Sequence, residues 1–181
     1  MLMGASDENL ASAAAEGDRD AFAALLARHY DRVFRLAFRL TGTRAEAEDL
    51  TQDICLALPG KLASFRQAAR FSTWLYRVTV NAAHDRRRRA ATHAKAADGW
   101  GDWEQSRRAA IDEEAAAQDW LAATMTRLPQ ELRDTVALTL GEELSQKEAA
   151  LALGVSEGTV AWRMSEVKKR LRELARAEDM P

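Results

Sequence analysis

Apolar residues along this chain recur at spacings of three and four rather than in alternation, and the breaks in that rhythm divide it into helices. From Asp18, whose carboxylate suits a helix N-cap, Phe22, Leu25, Leu26, Tyr30, Val33, Phe34, Ala37 and Leu40 form one continuous stripe that Gly42 closes. A short Ala-rich segment ending near Gly17 precedes it. Thr43 and Glu46 set up a capping box for a second core helix, with Ala47, Leu50, Ile54 and Leu58 inward, and Pro59-Gly60 is expected to bend or end it. The outward face of that helix carries Glu48, Asp49, Gln52 and Asp53, a pattern that suits a solvated surface as well as a docking one. Lys61 to Arg70 read as a loop carrying Phe65, and Ser72 stands where a cap for the next helix belongs.

The rhythm lapses from about Ala90 to Ala116, where Gly and mixed charge leave no stripe, and this stretch reads as a linker. Trp100 and Trp103 within it suit either a docking surface or a local turn packed on a neighbouring helix. Helical spacing resumes with Trp120, Leu121, Thr124 and Leu128; Pro129 then opens a helix whose stripe is Leu132, Val136 and Leu140, up to Gly141. Ser145 and Glu148 form a further capping box, Gly154 can take the left-handed conformation that ends a helix, and Ser156 caps another. Small Ala149 and Ala150 allow close crossing. Along the last helix Val160, Met164, Val167, Leu171 and Leu174 face inward, leaving Thr159, Ala161, Trp162, Arg163, Ser165, Lys168 and Lys169 outward. Two capped helices around a Gly turn, the second long and cationic, make a helix-turn-helix and point to duplex DNA; a plain helical hairpin with a solvated face is the alternative.

The expected class is therefore all-α: two small helical domains joined by a flexible linker, the C-terminal one containing a helix-turn-helix. A length of 181 residues with 47% hydrophobic residues accommodates either two small cores or one full one. The net charge of −2 means that any affinity for nucleic acid comes from local patches. One such patch is plain: between Arg70 and Arg89 there are six arginines against the single acid Asp85, with Phe71, Trp74 and Tyr76 among them. Cations that follow phosphates beside rings that stack bases are the ingredients of single-strand binding. Trp74, Leu75 and Val78 fit a core equally well, whereas Arg86 to Arg88 repel one another unless an anion sits opposite them.

Other chemistries find little support. The lone Cys55 lies on an apolar helix face as a small buried hydrophobe and excludes an intramolecular disulfide. His29, His84 and His93 are scattered, so no metal site is expected, and neither a Gly-rich phosphate loop nor paired carboxylates suggest an enzyme or a cofactor. The N-terminus lacks the regions of a signal peptide, and no run reaches membrane-spanning length, so a cytoplasmic protein without membrane insertion is expected.

Three separated motifs in order carry a resemblance that spans nearly the whole chain outside the linker. Ala47-Glu48-Asp49-Leu50-Thr51-Gln52-Asp53, then Phe71-Ser72-Thr73-Trp74-Leu75-Tyr76-Arg77-Val78 with Asn81 and the arginine run, then Leu128-Pro129 and Gly154-Val155-Ser156-Glu157-Gly158-Thr159-Val160, together resemble the extracytoplasmic-function sigma factors of bacterial RNA polymerase. The resemblance implies that residues 1–92 bind the clamp of core polymerase and the −10 element, that 93–116 are linker, and that 117–181 bind the flap and the −35 element. It implies core-polymerase contacts at Asp49, Gln52 and Asp53. Contacts to the single-stranded −10 non-template strand would come from Phe65, Phe71, Trp74, Arg77, Asn81, Arg86, Arg87 and Arg88, including capture of an unstacked base. Contacts to the −35 duplex would come from Ser156, Thr159, Trp162, Arg163 and Lys168. It also implies an anti-sigma factor as a partner. Two departures stand out: Pro59-Gly60 where relatives continue the clamp-facing helix through an aromatic, and Ala161-Trp162 where they commonly carry Lys-Ser, which implies a different −35 preference. A conventional duplex-binding regulator would explain the helix-turn-helix but not the arginine segment, and a protein that sequesters a sigma factor lacks here the zinc ligands common in that class.

Overall fold

The computed structural model describes residues 4–96, 125 and 127–178, and among them every regular element is helical. The Ala-rich start is itself a helix, α1 (Asp7–Ala15), capped by Ser6, whose hydroxyl accepts the Asn9 N–H at 3.2 Å. Its Leu10 and Ala11 are buried against the rest of the N-terminal unit. Asp7 ties it to α2: the carboxylate accepts from Arg28 at 2.9 Å and lies 2.7 Å from Nε2 of the buried His29. Burial pushes the Asp7 carboxyl up, but hydrogen bonds from Arg28 and His29 outweigh it and hold the group below its ordinary value.

Helix α2 (Arg19–Thr41) begins at Asp18, which accepts the N–H groups of Asp20 and Ala21, and ends at Gly42 with φ 88°. Leu25, Val33, Ala37 and Leu40 are buried as expected, Leu36, outside the expected stripe, is buried with them, and Tyr30 lies at the edge of the stripe and is 47% exposed. In α3 (Arg44–Leu62) Thr43 accepts the Glu46 N–H, but the Glu46 carboxylate takes the Thr43 hydroxyl rather than its backbone N–H, so only half of the expected box forms. The helix also runs through Pro59-Gly60 instead of ending there. Pro59 falls in the final turn on the exposed side, where its missing N–H costs one bond, and the buried Leu58 and Leu62 on either side hold that turn in place.

Helix α4 (Phe71–Ala96) starts one residue before the expected cap. The Phe71 N–H donates to Glu8 of α1 at 3.2 Å, so the cap comes from another helix and Ser72 lies inside the first turn.

The C-terminal unit comprises α5 (Gln130–Val136), a π-helical turn (Ala137–Gly141), α6 (Gln146–Leu153) and α7 (Glu157–Glu178). The π turn, closed by the Glu142 N–H on the Ala137 carbonyl at 3.1 Å, adds a residue to the helical register. The expected stripe therefore breaks: Leu132 and Val136 are inside, Leu138 replaces Leu140 in the core, and Leu140 is 64% exposed. Ser145 and Glu148 make the full reciprocal capping box of α6, and Gly154 ends it with φ 68°. Ser156 accepts the Thr159 N–H to cap α7. Along α7 Val160 and Val167 are buried, whereas Leu171 is 40% exposed. Trp100, Trp103, Trp120, Leu121 and Thr124 lie outside the described residues, as do the side chains of His93 and Leu174. The two units touch: α4 packs on α6, and α2 lies beside the π turn.

Candidate polymerase and nucleic-acid interfaces

Three surfaces collect the residues singled out from the sequence. The first is the outward side of α3, where Asp49, Gln52 and Asp53 are all exposed on successive turns, with Leu56 beyond them at 76% exposure. Burying Ala47, Leu50, Ile54 and Leu58 is what turns those acids outward. They are not left to solvent alone. Arg86 reaches across from α4 and donates to Asp49 at 3.0 Å and to Asp53 at 3.1 Å.

The second surface surrounds the start of α4. Phe65, Phe71 and Trp74 form a ring cluster with centroids 5.4–5.6 Å apart. Phe71 is 1% exposed, and His29 stands edge-on to it at 5.2 Å. The sequence reading of Phe71 as a DNA contact is therefore corrected: the ring is a core residue that supports Phe65 and Trp74, which are half-buried and show an edge to solvent. Arg77 and Asn81 follow at exposed positions one and two turns on.

The arginine run also departs from expectation. The anions opposite it belong to this chain: Arg86 pairs with α3, Arg87 donates to the Leu40 carbonyl at 2.8 Å and lies 3.9 Å from Asp134, and Arg88 pairs with Asp85 at 2.8 Å. Sequence periodicity could not show the partners of Arg86 and Arg87, which lie on other helices or in the other unit, whereas Asp85 and Arg88 are an i,i+3 pair within α4.

The third surface is the N-terminal half of α7. Ser156, Thr159, Trp162 and Arg163 lie on consecutive turns, with Trp162 63% exposed. Lys168, nine positions after Thr159, is half a turn round the helix at about 3.6 residues per turn and does not share their face, although it is exposed. Lys169, seven positions after Trp162, does share it, and the same helical arithmetic applied to the sequence would have found it.

Between the units, Glu142 accepts from Arg39 at 2.6 Å and from the Tyr76 hydroxyl at 2.9 Å. Burial and the Glu142 charge push the Tyr76 phenol up to about 12. Asp134, 2% exposed, lies 2.6 Å from His84 Nε2. Next to it, burial and the Arg87 charge lower the Arg133 guanidinium, which donates to the Met125 and Leu40 carbonyls.

An acidic helix face, a ring-and-arginine surface and a capped cationic helix thus occur in order on one chain. The Sigma-70 region 2 family matches residues 25–92, and the Sigma-70 region 4 family matches residues 118–171. The ECF RNA polymerase sigma factor SigM of Mycobacterium tuberculosis is 37% identical over 169 residues, covering 93% of this chain and 84% of its own length. This chain belongs to the ECF sigma factors. SigW of Bacillus subtilis is 31% identical, with 89% of this chain and 92% of SigW covered. The solved structure of CnrH in complex with the cytosolic domain of CnrY superposes with a TM-score of 0.73 at 28% identity, covering 96% of this chain and 99% of CnrH. As a sigma factor, the chain carries its region 2 match on α2–α4 and its region 4 match on the unit that holds the helix-turn-helix. Among the described residues no helix is long and apolar enough to cross a membrane.

Proposed function

We propose that this sigma factor acts as a dissociable specificity subunit in the cytoplasm: core polymerase supplies the catalysis, and this chain supplies promoter choice and strand opening. Residues 1–92 bind the clamp and the −10 element, 93–116 connect, and 117–181 bind the flap and the −35 element. The observation that carries the reading is the occurrence of two separate surfaces on one chain, one with half-buried rings beside cations and the other a capped helix with an open polar face.

On the first surface Asp49, Gln52 and Asp53 meet the clamp. Phe65 and Trp74 offer edges against which an unstacked base of the non-template strand can lodge, with Asn81 reading it and Arg77 and Arg88 holding flanking phosphates. On the second, Ser156, Thr159, Trp162, Arg163 and Lys169 address the duplex, and Trp162 presents an apolar face to a thymine methyl. Lys168 serves the neighbouring backbone.

The neighbours CnrH and RpoE of Bartonella quintana are described in complex with CnrY and with the anti-sigma factor NepR. An anti-sigma factor of that kind is the expected regulator here. The deciding experiment is in vitro transcription by purified bacterial core polymerase over random promoter sequences, with and without this chain. Initiation at a shared pair of motifs only when the chain is present is expected; tight duplex binding without any effect on polymerase would instead make it a conventional regulator.

A further inference from the structure

Phe65 sits in the segment 63–70, which joins α3 to α4 and carries one of the two rings with an edge to solvent. The first half of the segment is tied to the end of α3. The N–H groups of Ser64 and Phe65 donate to the Lys61 and Leu62 carbonyls, each at 2.9 Å, and the Ser64 hydroxyl adds a bond of 2.7 Å to the Lys61 carbonyl. The second half is tied to α1 instead. The Gln67 side-chain amide donates to the Ser12 hydroxyl at 3.0 Å, and the Phe71 N–H that follows the segment donates to Glu8 at 3.2 Å. Gln67 has φ 54°, in the left-handed region, which a residue other than glycine keeps only where its surroundings hold it.

Glu8 and Ser12 lie one turn apart, so one face of α1 meets both Gln67 and Phe71. Helix α1 is itself anchored: Leu10 and Ala11 are each 1% exposed, and Asp7 pairs with His29, whose ring stands edge-on to Phe71. Phe71 in turn backs Phe65 and Trp74, with centroids 5.5 and 5.6 Å away. Contacts that start on α1 thus converge behind the two half-buried rings. The region 2 match begins at residue 25, so α1 lies outside it.

A base that leaves its stack gains less from a ring that must be ordered at the same moment, because the ordering is subtracted from the binding. Rings held in place beforehand avoid that cost, and a displacement of about 1 Å is enough to lose the advantage. We propose that Glu8 and Ser12 are positioning residues for base capture: without touching DNA, they fix the backbone from 67 to 71 and so the edges that Phe65 and Trp74 offer to an unstacked base. The proposal rests on the assignment of those two rings to the −10 strand. The hydrogen bonds carry the effect, so variants that keep the accepting oxygen retain it.

The test uses the full chain assembled with purified bacterial core polymerase, as wild type, Ser12→Ala, Glu8→Ala, Ser12→Thr and Glu8→Gln, with helicity and melting checked in each. Fluorescence anisotropy reads the affinity for a short random-sequence single-stranded oligonucleotide and for an abasic strand of the same length, which keeps the phosphates and lacks the bases. The ratio of the two affinities isolates base capture, and core polymerase alone sets the background. Ser12→Ala and Glu8→Ala are each expected to lower that ratio about threefold with the abasic affinity unchanged. Ser12→Thr and Glu8→Gln, which keep an oxygen for Gln67 and for the Phe71 N–H, should hold the wild-type ratio. A residue whose alanine variant leaves the ratio unchanged has no positioning role. An equal fall for both strands, or a loss in the conservative variants as large as in the alanine ones, overturns the proposal. A wild-type ratio no higher than that of core polymerase alone removes the −10 assignment of the rings, and the proposal with it.

Discussion

The two units of this sigma factor are held together by different means. Of the largest fully buried side chains among the described residues, nine lie in α1–α4, including Phe71 and seven leucines, and only Leu138, Val160 and Val167 lie in the C-terminal unit. That unit fills its interior with Ala137, Ala149 and Ala152, buries Asp134 and Thr135, and relies on caps at both helices of its helix-turn-helix. Among its described residues the C-terminal unit buries fewer large side chains completely, so directed polar contacts and the seat on α2 and α4 carry more of the stability of that part. The N-terminal unit needs no such seat. The difference predicts that the N-terminal unit keeps its fold when the contact between the units is weakened, while the C-terminal unit loses stability.

The comparison breaks hardest at the N-terminal core. Leu36→Ala, at a residue with no exposed surface, should cost about 3 kcal/mol through lost burial and the cavity left between α2 and its neighbours, read as a lower denaturant midpoint. If that loss appears only in the C-terminal unit's unfolding, the two units are not separately stabilised. Next comes Asp134→Ala. Removing one member of a buried ionic cluster costs about 3 kcal/mol or more, but His84 is 38% exposed and reaches water once freed, so about 2 kcal/mol is expected here. Amide exchange should show the loss in α5–α7 and leave α1–α3 protected. Equal loosening of both units would contradict the contrast drawn above.

Caps give a smaller effect with a pH signature. Ser145→Ala should cost about 1 kcal/mol, confined to the C-terminal unit. Its partner Glu148 is lowered below its ordinary value first by the hydrogen bond with the Ser145 side chain, then by the Ser145 backbone N–H. A carboxyl depressed on folding adds stability that is present above its unfolded value of 4.5 and is lost as pH falls through the folded one. The wild type should therefore lose stability in acid more steeply than Ser145→Ala, as thermal melts across that range would show. Parallel acid profiles would mean that the box contributes nothing to the pH dependence.

Local rules made much of this legible. Asp18, Gly42, Ser145, Gly154 and Ser156 act over a few residues, so their roles as caps and stops could be read from spacing, and the helix-turn-helix with them. What could not be read depended on other helices or on a change of period. The Phe71 N–H finds its acceptor in Glu8, 63 positions earlier. The π turn shifts Leu140 out and Leu138 in, which a 3.6-residue rhythm cannot anticipate. Phe71 looked like a stacking ring because type and neighbourhood fit; only packing separates a ring that touches a base from one that supports it.

Arg86 is the finest test, because it belongs to both readings of the N-terminal unit. Its guanidinium is 37% exposed and its partners Asp49 and Asp53 are 63% and 64% exposed, so the pairs contribute under about 1 kcal/mol, and Arg86→Ala should leave the folding midpoint almost unmoved. The functional consequence differs according to what Arg86 serves. If it guards acids that serve, as proposed, to meet the clamp, its removal frees two carboxylates for a cationic partner and should strengthen core-polymerase binding about two- to threefold, with the salt dependence of single-strand binding intact. If it holds a phosphate, the slope of log affinity against log salt should instead become shallower by about 0.7, the counterion release for one contact on a single strand. Geometry favours the first outcome, because both of its nitrogens within reach of α3 already have carboxylate partners at 3.0 and 3.1 Å.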